Sequence, residues 1–133
     1  MNYWKKGCKY LLENDPVFKN YYNPNHQLKT NKNKFDVLFK SICSQQISVS
    51  AAMSIYKNSK SIIGPINFKN FKTNNRKIKN LPLSKNKKKC LNSLLNNYHL
   101  VTDIKLSNSN FEKVNNNLTQ IFGIGKWLSL IHI

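Results

Sequence analysis

The sequence predicts an all-α fold, and three observations predict it. Apolar residues recur at three- and four-residue intervals through most of the 133 positions. Strand-type alternation is absent, and the breaks between periodic runs carry helix-stop and helix-start residues. Hydrophobic residues make up 40% and aromatics 11%, enough for a true core, which excludes wholesale disorder. The length suits one domain or a piece of a larger one.

The elements follow in order. Tyr3–Leu12 reads as a helix, with Asp15-Pro16 as its stop and a new start. Phe35, Leu38, Phe39, Ile42 and Cys43 fall at i, i+3, i+4, i+7 and i+8, one face of a second helix. The polar break Ser44-Gln45-Gln46 interrupts it. A further helical run from Ile47 or Ser48 to Tyr56 sets Ile47, Ala51 and Ile55 on one stripe, with Val49, Ala52 and Tyr56 beside it. Small Ala51 and Ala52 would admit a close helix neighbour, and Gly64-Pro65 ends the unit. Ile66–Asn80 reads as a short helix and a loop anchored by Phe68, Phe71 and Ile78. Leu81-Pro82-Leu83-Ser84 leads into a helix capped by Ser84, turning Cys90, Leu91, Leu94, Leu95 and Tyr98 inward. The last helix starts at the capping box Ser109-x-x-Glu112 and lines Phe111, Val114, Leu118 and Ile121 along one face. It ends in Phe122-Gly123-Ile124-Gly125-Lys126-Trp127.

Charge narrows the partners without choosing a reaction. Lys and Arg number 22 against 5 Asp and Glu, a net charge of +17. Arg76 is the single arginine, and the excess of lysine and asparagine is also what A-rich codons produce without selection for binding. The resulting positive field favours polyanions, above all nucleic acid, with a membrane surface or codon bias as the other readings. No apolar run approaches the about 18 residues of a membrane span, and Met1–Lys6 lacks a signal-peptide core. Cys8, Cys43 and Cys90 are odd in number and far apart, which argues against a disulfide scaffold or a zinc site. A soluble protein of a reducing, cytoplasmic compartment is expected. Lys85, Lys87, Lys88 and Lys89 oppose the macrodipole at the start of their helix, which suits a bound anion there or a solvated face.

Two motifs carry chemistry. In Gly123-Ile124-Gly125-Lys126 the two glycines form a tight hairpin, Ile124 plugs it into the core, and amides opening the next helix face outward beside Lys126. This is the layout of a helix-hairpin-helix, a sequence-independent clamp on the DNA backbone; a glycine C-cap followed by an ordinary loop is the plainer alternative. Gln45-Gln46 places two amides at a turn between amphipathic helices, able to address base edges or to serve as a polar interhelical loop. Ser84-x-x-Lys87 superficially matches a serine-nucleophile motif but lacks its partners, so an N-cap with a phosphate contact is the better reading. His26, His99 and His132 share no ligand spacing.

Gln45-Gln46-Ile47-Ser48-x-x-Ala51-Ala52, followed downstream by Gly123-Ile124-Gly125-Lys126-Trp127, resembles the HhH-GPD superfamily of DNA glycosylases. The branch it is most similar to is 3-methyladenine DNA glycosylase II, the alkylated-base enzymes of base-excision repair. Trp4, Asp15-Pro16 and Leu83-Ser84-x-x-Lys87 also fall where that family has such residues, so the resemblance spans Tyr3–Trp127. It implies a helical bundle of the helix-hairpin-helix glycosylase fold, acting on double-stranded DNA with alkylated bases, as a monomer, with no membrane or protein partner. Gln46 then matches the residue that wedges into the duplex and fills the gap left by an extruded nucleotide, because base chemistry requires flipping. Gln45, Ser84, Lys87, Gly123, Ile124, Gly125 and Lys126 match DNA-contacting positions. Carbonyls of Thr119, Ile121 and Gly123 match positions holding a monovalent cation, Na+ or K+, in relatives; no organic cofactor is implied. Trp127 matches an aromatic of the base pocket, where an electron-poor purine can stack.

One departure bears on activity. The family continues past the hairpin with Trp-Thr-Ala to a catalytic aspartate about two dozen residues on, whose carboxylate stabilises the sugar cation or activates water. Here Trp127 is followed by Leu128-Ser129-Leu130-Ile131-His132-Ile133, and Glu13, Asp15, Asp36, Asp103 and Glu112 do not match that position. One back-translation of the hexapeptide, CTG TCT CTT ATA CAC ATC, coincides with a transposon end used as a sequencing adapter. The expectation is therefore residues 1–127 as the N-terminal portion of a glycosylase domain, truncated at the hairpin. Residues 128–133 are then a non-native tail, and the 133 residues lack base-releasing activity. The alternatives are a non-catalytic helix-hairpin-helix DNA-binding module and a lysine-rich membrane-surface or structural protein.

Overall fold

The computed structural model describes residues 3–24, 31–102 and 111–126, and every regular element among them is helical. The all-α expectation holds. Backbone contacts divide the chain into two compact units, Met1–Lys32 and Asn33–Ile133, a boundary that composition does not mark.

In the first unit, α1 (Tyr3–Asn14) buries Cys8 and leaves Trp4, Tyr10 and Leu11 exposed. Asp15 is the expected punctuation. Its Oδ1 accepts from the amides of Val17 (2.9 Å) and Phe18 (3.2 Å), opening the one-turn α2 (Phe18–Tyr21).

The second unit carries the core. In α3 (Lys34–Ser44), Phe35, Leu38, Phe39, Ile42 and Cys43 are all buried, the face read from the sequence. Phe35 sits at the centre of an aromatic cluster, with ring centroids of Phe71 at 5.0 Å, Tyr98 at 5.6 Å and Phe68 at 6.2 Å. These distances lie in the favourable edge-to-face range. Asn33 starts the helix by accepting from the Asp36 amide and donates its Nδ2 to the Ile66 carbonyl at 2.9 Å, tying α3 to a distant loop.

The next helix differs from expectation. α4 spans Val49–Ile63, two turns longer at its C-terminal end, capped by Ser48 and closed by Gly64 at φ +88°. Its buried positions are Ala52, Ser59 and Ile63, with Ile55, Tyr56 and Ile62 half-buried. Ala51 is exposed, as are Ile47 and Val49, the last at 77%. The inward stripe is thus rotated from the one expected, because the helix packs along its middle and C-terminal turns.

α5 (Phe68–Thr73) and the 3-10 helix η1 (Asn75–Asn80) occupy the stretch read as helix and loop, with Phe71 and Ile78 buried as expected. α6 (Lys85–Asn96) is capped by Ser84, whose Oγ accepts from the Lys87 amide, and buries Cys90, Leu91, Leu94 and Leu95. The one-turn α7 (His99–Thr102) follows, and α8 (Phe111–Thr119) contributes Val114 and Leu118 to the core. Ser109 of the expected capping box lies outside the described residues.

Candidate nucleic-acid interface

The turn joining α3 and α4 is tight. Ser48 must cap α4, so only Gln45, Gln46 and Ile47 remain to reverse the chain, and Gln46 adopts φ +58°. A side chain in the left-handed region costs roughly 1–2 kcal/mol, strain that the flanking helices must impose. Gln46 is exposed at this apex; Gln45 is half-buried beside it.

The hairpin after α8 has a different origin. Leu118, Ile121 and Ile124 are buried, and the Ile124 amide closes the turn onto the Ile121 carbonyl at 3.0 Å. Gly123 has φ +83°, and a Cβ there would lie 2.8 Å from the Cys90 Sγ. Glycine is required twice over, by conformation and by the close approach of α6. Gly125 is different: a Cβ would meet nothing within 4 Å. Helical conformation resumes at Lys126, which is exposed.

Two sequence signals 78 residues apart meet here: Gln45 donates its Nε2 to the Gly123 carbonyl at 3.0 Å. From the other side, the Phe122 amide donates to Ser93 Oγ at 3.0 Å, and Lys89 Nζ stands 4.2 Å above the Phe122 ring. Ser93, Cys90 and Lys89 therefore seat the hairpin on α6. Periodicity along the chain does not reveal this role. The one available signal was Ser93, a small polar residue one turn after Cys90 at the edge of an apolar stripe.

Of the lysines at the start of α6, Lys87 donates to the Cys43 carbonyl at 2.7 Å and Lys88 to the Lys79 carbonyl at 2.6 Å. Lys87 thus supplies charge at the C-terminal end of α3, where the macrodipole favours it. Burial pushes the Cys43 thiol up to about 11, with the Lys87 charge opposing, and burial does the same to Cys90. Both are inert thiols at neutral pH.

Backbone carbonyls are the right donors for a hard cation. Those of Ile121 and Gly123 accept hydrogen bonds from the Ile124 amide and from Gln45 among the described residues, and a carbonyl oxygen carries two lone pairs. Among the described residues, no group of three His, Cys, Asp or Glu side chains is placed to hold a metal. None of the described helices is long and apolar enough to cross a membrane. Trp127, the expected base-pocket aromatic, lies outside the described residues.

No family model matches the chain, and no curated protein matches it. Among solved structures, it is similar to the crystal structure of a DNA-3-methyladenine glycosidase from Bacillus halodurans, with a TM-score of 0.70 and 22% identity. The likeness covers 92% of this chain and 59% of that one, so the chain spans about three fifths of that protein's length. Over the matched part, this chain has the all-helical fold of that structure.

Proposed function

We propose that this chain is the DNA-gripping part of a base-excision glycosylase acting on alkylated purines. The observation that carries the reading is the meeting of the Gln45-Gln46 turn with the Gly123–Lys126 hairpin, on a fold similar to that of a 3-methyladenine glycosidase. In this reading Gly125 and Lys126 receive a phosphate: the missing Cβ lets the backbone approach, and the helix start and the ammonium supply positive charge. Gln46, held outward at the apex, enters the duplex beside the flipped nucleotide. Ser84 and Lys87 open a helix toward the same strand, and carbonyls of Thr119, Ile121 and Gly123 would hold Na+ or K+, neutralising charge at the grip. Trp127 would stack on the extruded base.

Excision needs a carboxylate to stabilise the sugar cation as the base leaves. Asp36 is the described acid most enclosed by the fold, and its oxygens accept from Tyr56 Oη (2.5 Å) and Lys40 Nζ (2.7 Å), which makes it a structural group. The 133 residues are therefore expected to bind duplex DNA and to release no base. Fluorescence anisotropy with a duplex at two salt concentrations, paired with a base-release assay on methylated DNA, tests both halves. Release of 3-methyladenine by the pure chain would overturn the assignment of roles. Binding that ignores salt would remove the phosphate grip.

A further inference from the structure

We propose that Gln45 is a positioning residue, whose hydrogen bond to the Gly123 carbonyl makes the wedge turn and the phosphate-gripping hairpin one rigid device. The inference rests on the DNA-binding reading of Gln46 and the hairpin above. The sequence alone counts Gln45 among residues facing DNA; the structure turns its amide nitrogen inward, onto the hairpin. The geometry gives this bond a mechanical consequence. Gln46 is strained at φ +58° and exposed, so resistance to recoil when its side chain is pressed into a base stack has to come from its neighbours. A loose tip would yield instead of unstacking the bases, because insertion opposes base stacking directly. Gln45 is the residue immediately before it, and its tie ends two residues short of Gly125. Lys87 holds the end of α3 that leads into this turn through the Cys43 carbonyl, and Ser93 holds the hairpin from α6 through the Phe122 amide. With the turn pinned to the hairpin, the energy of phosphate contact supports the wedge, which is preorganisation in the ordinary sense.

The test uses the full chain and a duplex containing one 2-aminopurine, whose fluorescence rises when it is unstacked. Gln45→Met keeps the length and removes the donor; Gln45→Lys restores a donor. At saturating protein, Gln45→Met is expected to lose at least half of the wild-type fluorescence rise, with the slope of affinity against salt unchanged, and Gln45→Lys to recover it. In a Gln46→Ala background, Gln45→Met should cause no further loss. A full fluorescence rise in Gln45→Met, or an equal additional loss in the Gln46→Ala background, overturns the coupling. A wild-type signal in Gln46→Ala defeats instead the wedge reading on which it rests. Amide shifts of Gly123 to Lys126 in the free protein then decide separately: if Gln45→Met leaves them unmoved, the tie itself is refuted.

Discussion

At the residue scale, the two glycines of the hairpin separate folding from binding. Gly123 sits at φ +83° with the Cys90 side chain where its Cβ would be. Gly123→Ala is expected to destabilise the fold by more than about 2 kcal/mol, combining the left-handed penalty with a clash against the Cys90 side chain. Gly125 has no such demand from its surroundings. Gly125→Ala should leave stability unchanged or raise it by about 0.4–1 kcal/mol, since alanine restricts the unfolded chain. The same methyl group would stand between the backbone and a phosphate, weakening duplex binding by about tenfold, ~1.4 kcal/mol. Urea melts and anisotropy on the two variants give the answer, and a Gly125→Ala chain that binds DNA as wild type does would place the phosphate elsewhere. The sequence made both glycines legible as a hairpin. It did not reveal that they serve different ends, because the reason for Gly123 lies 33 positions away, in Cys90 on another helix.

At the element scale, what was legible followed local chemistry and what was not followed tertiary packing. Asp15, Ser48 and Ser84 act on amides two or three residues away, so starts and stops could be read directly. The rotation of α4 could not be read, because Ile47 and Val49 are as apolar as the residues it buries and only the position of α3 decides between them. Ser59 shows the cost of that arrangement: it is fully buried, and its Oγ has no hydrogen-bond partner among the described residues. Ser59→Ala is therefore expected to stabilise the protein by about 1 kcal/mol, since an unsatisfied buried hydroxyl costs that much or more. A loss of stability on thermal melting would mean that the hydroxyl has a partner after all. The facing helices α3 and α6 also store a pH dependence in their thiols. Burial raises Cys43 and Cys90 from 9.0 to about 11, so the folded state holds two protons that the unfolded chain releases first. That contribution to stability is complete below pH 9 and disappears as pH climbs to about 11. Urea midpoints across this range should fall, and the Cys43→Ala/Cys90→Ala chain should show a flatter decline whatever its absolute stability.

At the scale of the whole molecule, the +17 charge acts on folding and on binding with opposite signs. Few acids offset it, and three of them are engaged locally. Glu13 approaches Lys9 at 3.8 Å, Asp15 caps α2, and Asp36 is enclosed with Tyr56 and Lys40. The exposed lysines repel one another across the folded surface, and compaction makes that repulsion worse than in the unfolded chain. Salt screens it within a Debye length of about 10 Å at 0.1 M, so the free protein should melt several degrees higher as NaCl rises from 20 to 300 mM. Duplex affinity should move the other way. Each phosphate neutralised releases counterions, giving a log–log slope of about −0.9 per contact, so three or four contacts at the hairpin and α6 would cost about a hundredfold over a fivefold rise in salt. Codon bias and selection for binding make different demands on this pair of measurements. A charge that is only compositional still predicts the stabilisation by salt, since repulsion does not depend on purpose, and it predicts a salt slope spread over many weak sites and insensitive to Gly125→Ala. A steep slope that loses about one contact's worth in Gly125→Ala assigns the charge to the hairpin.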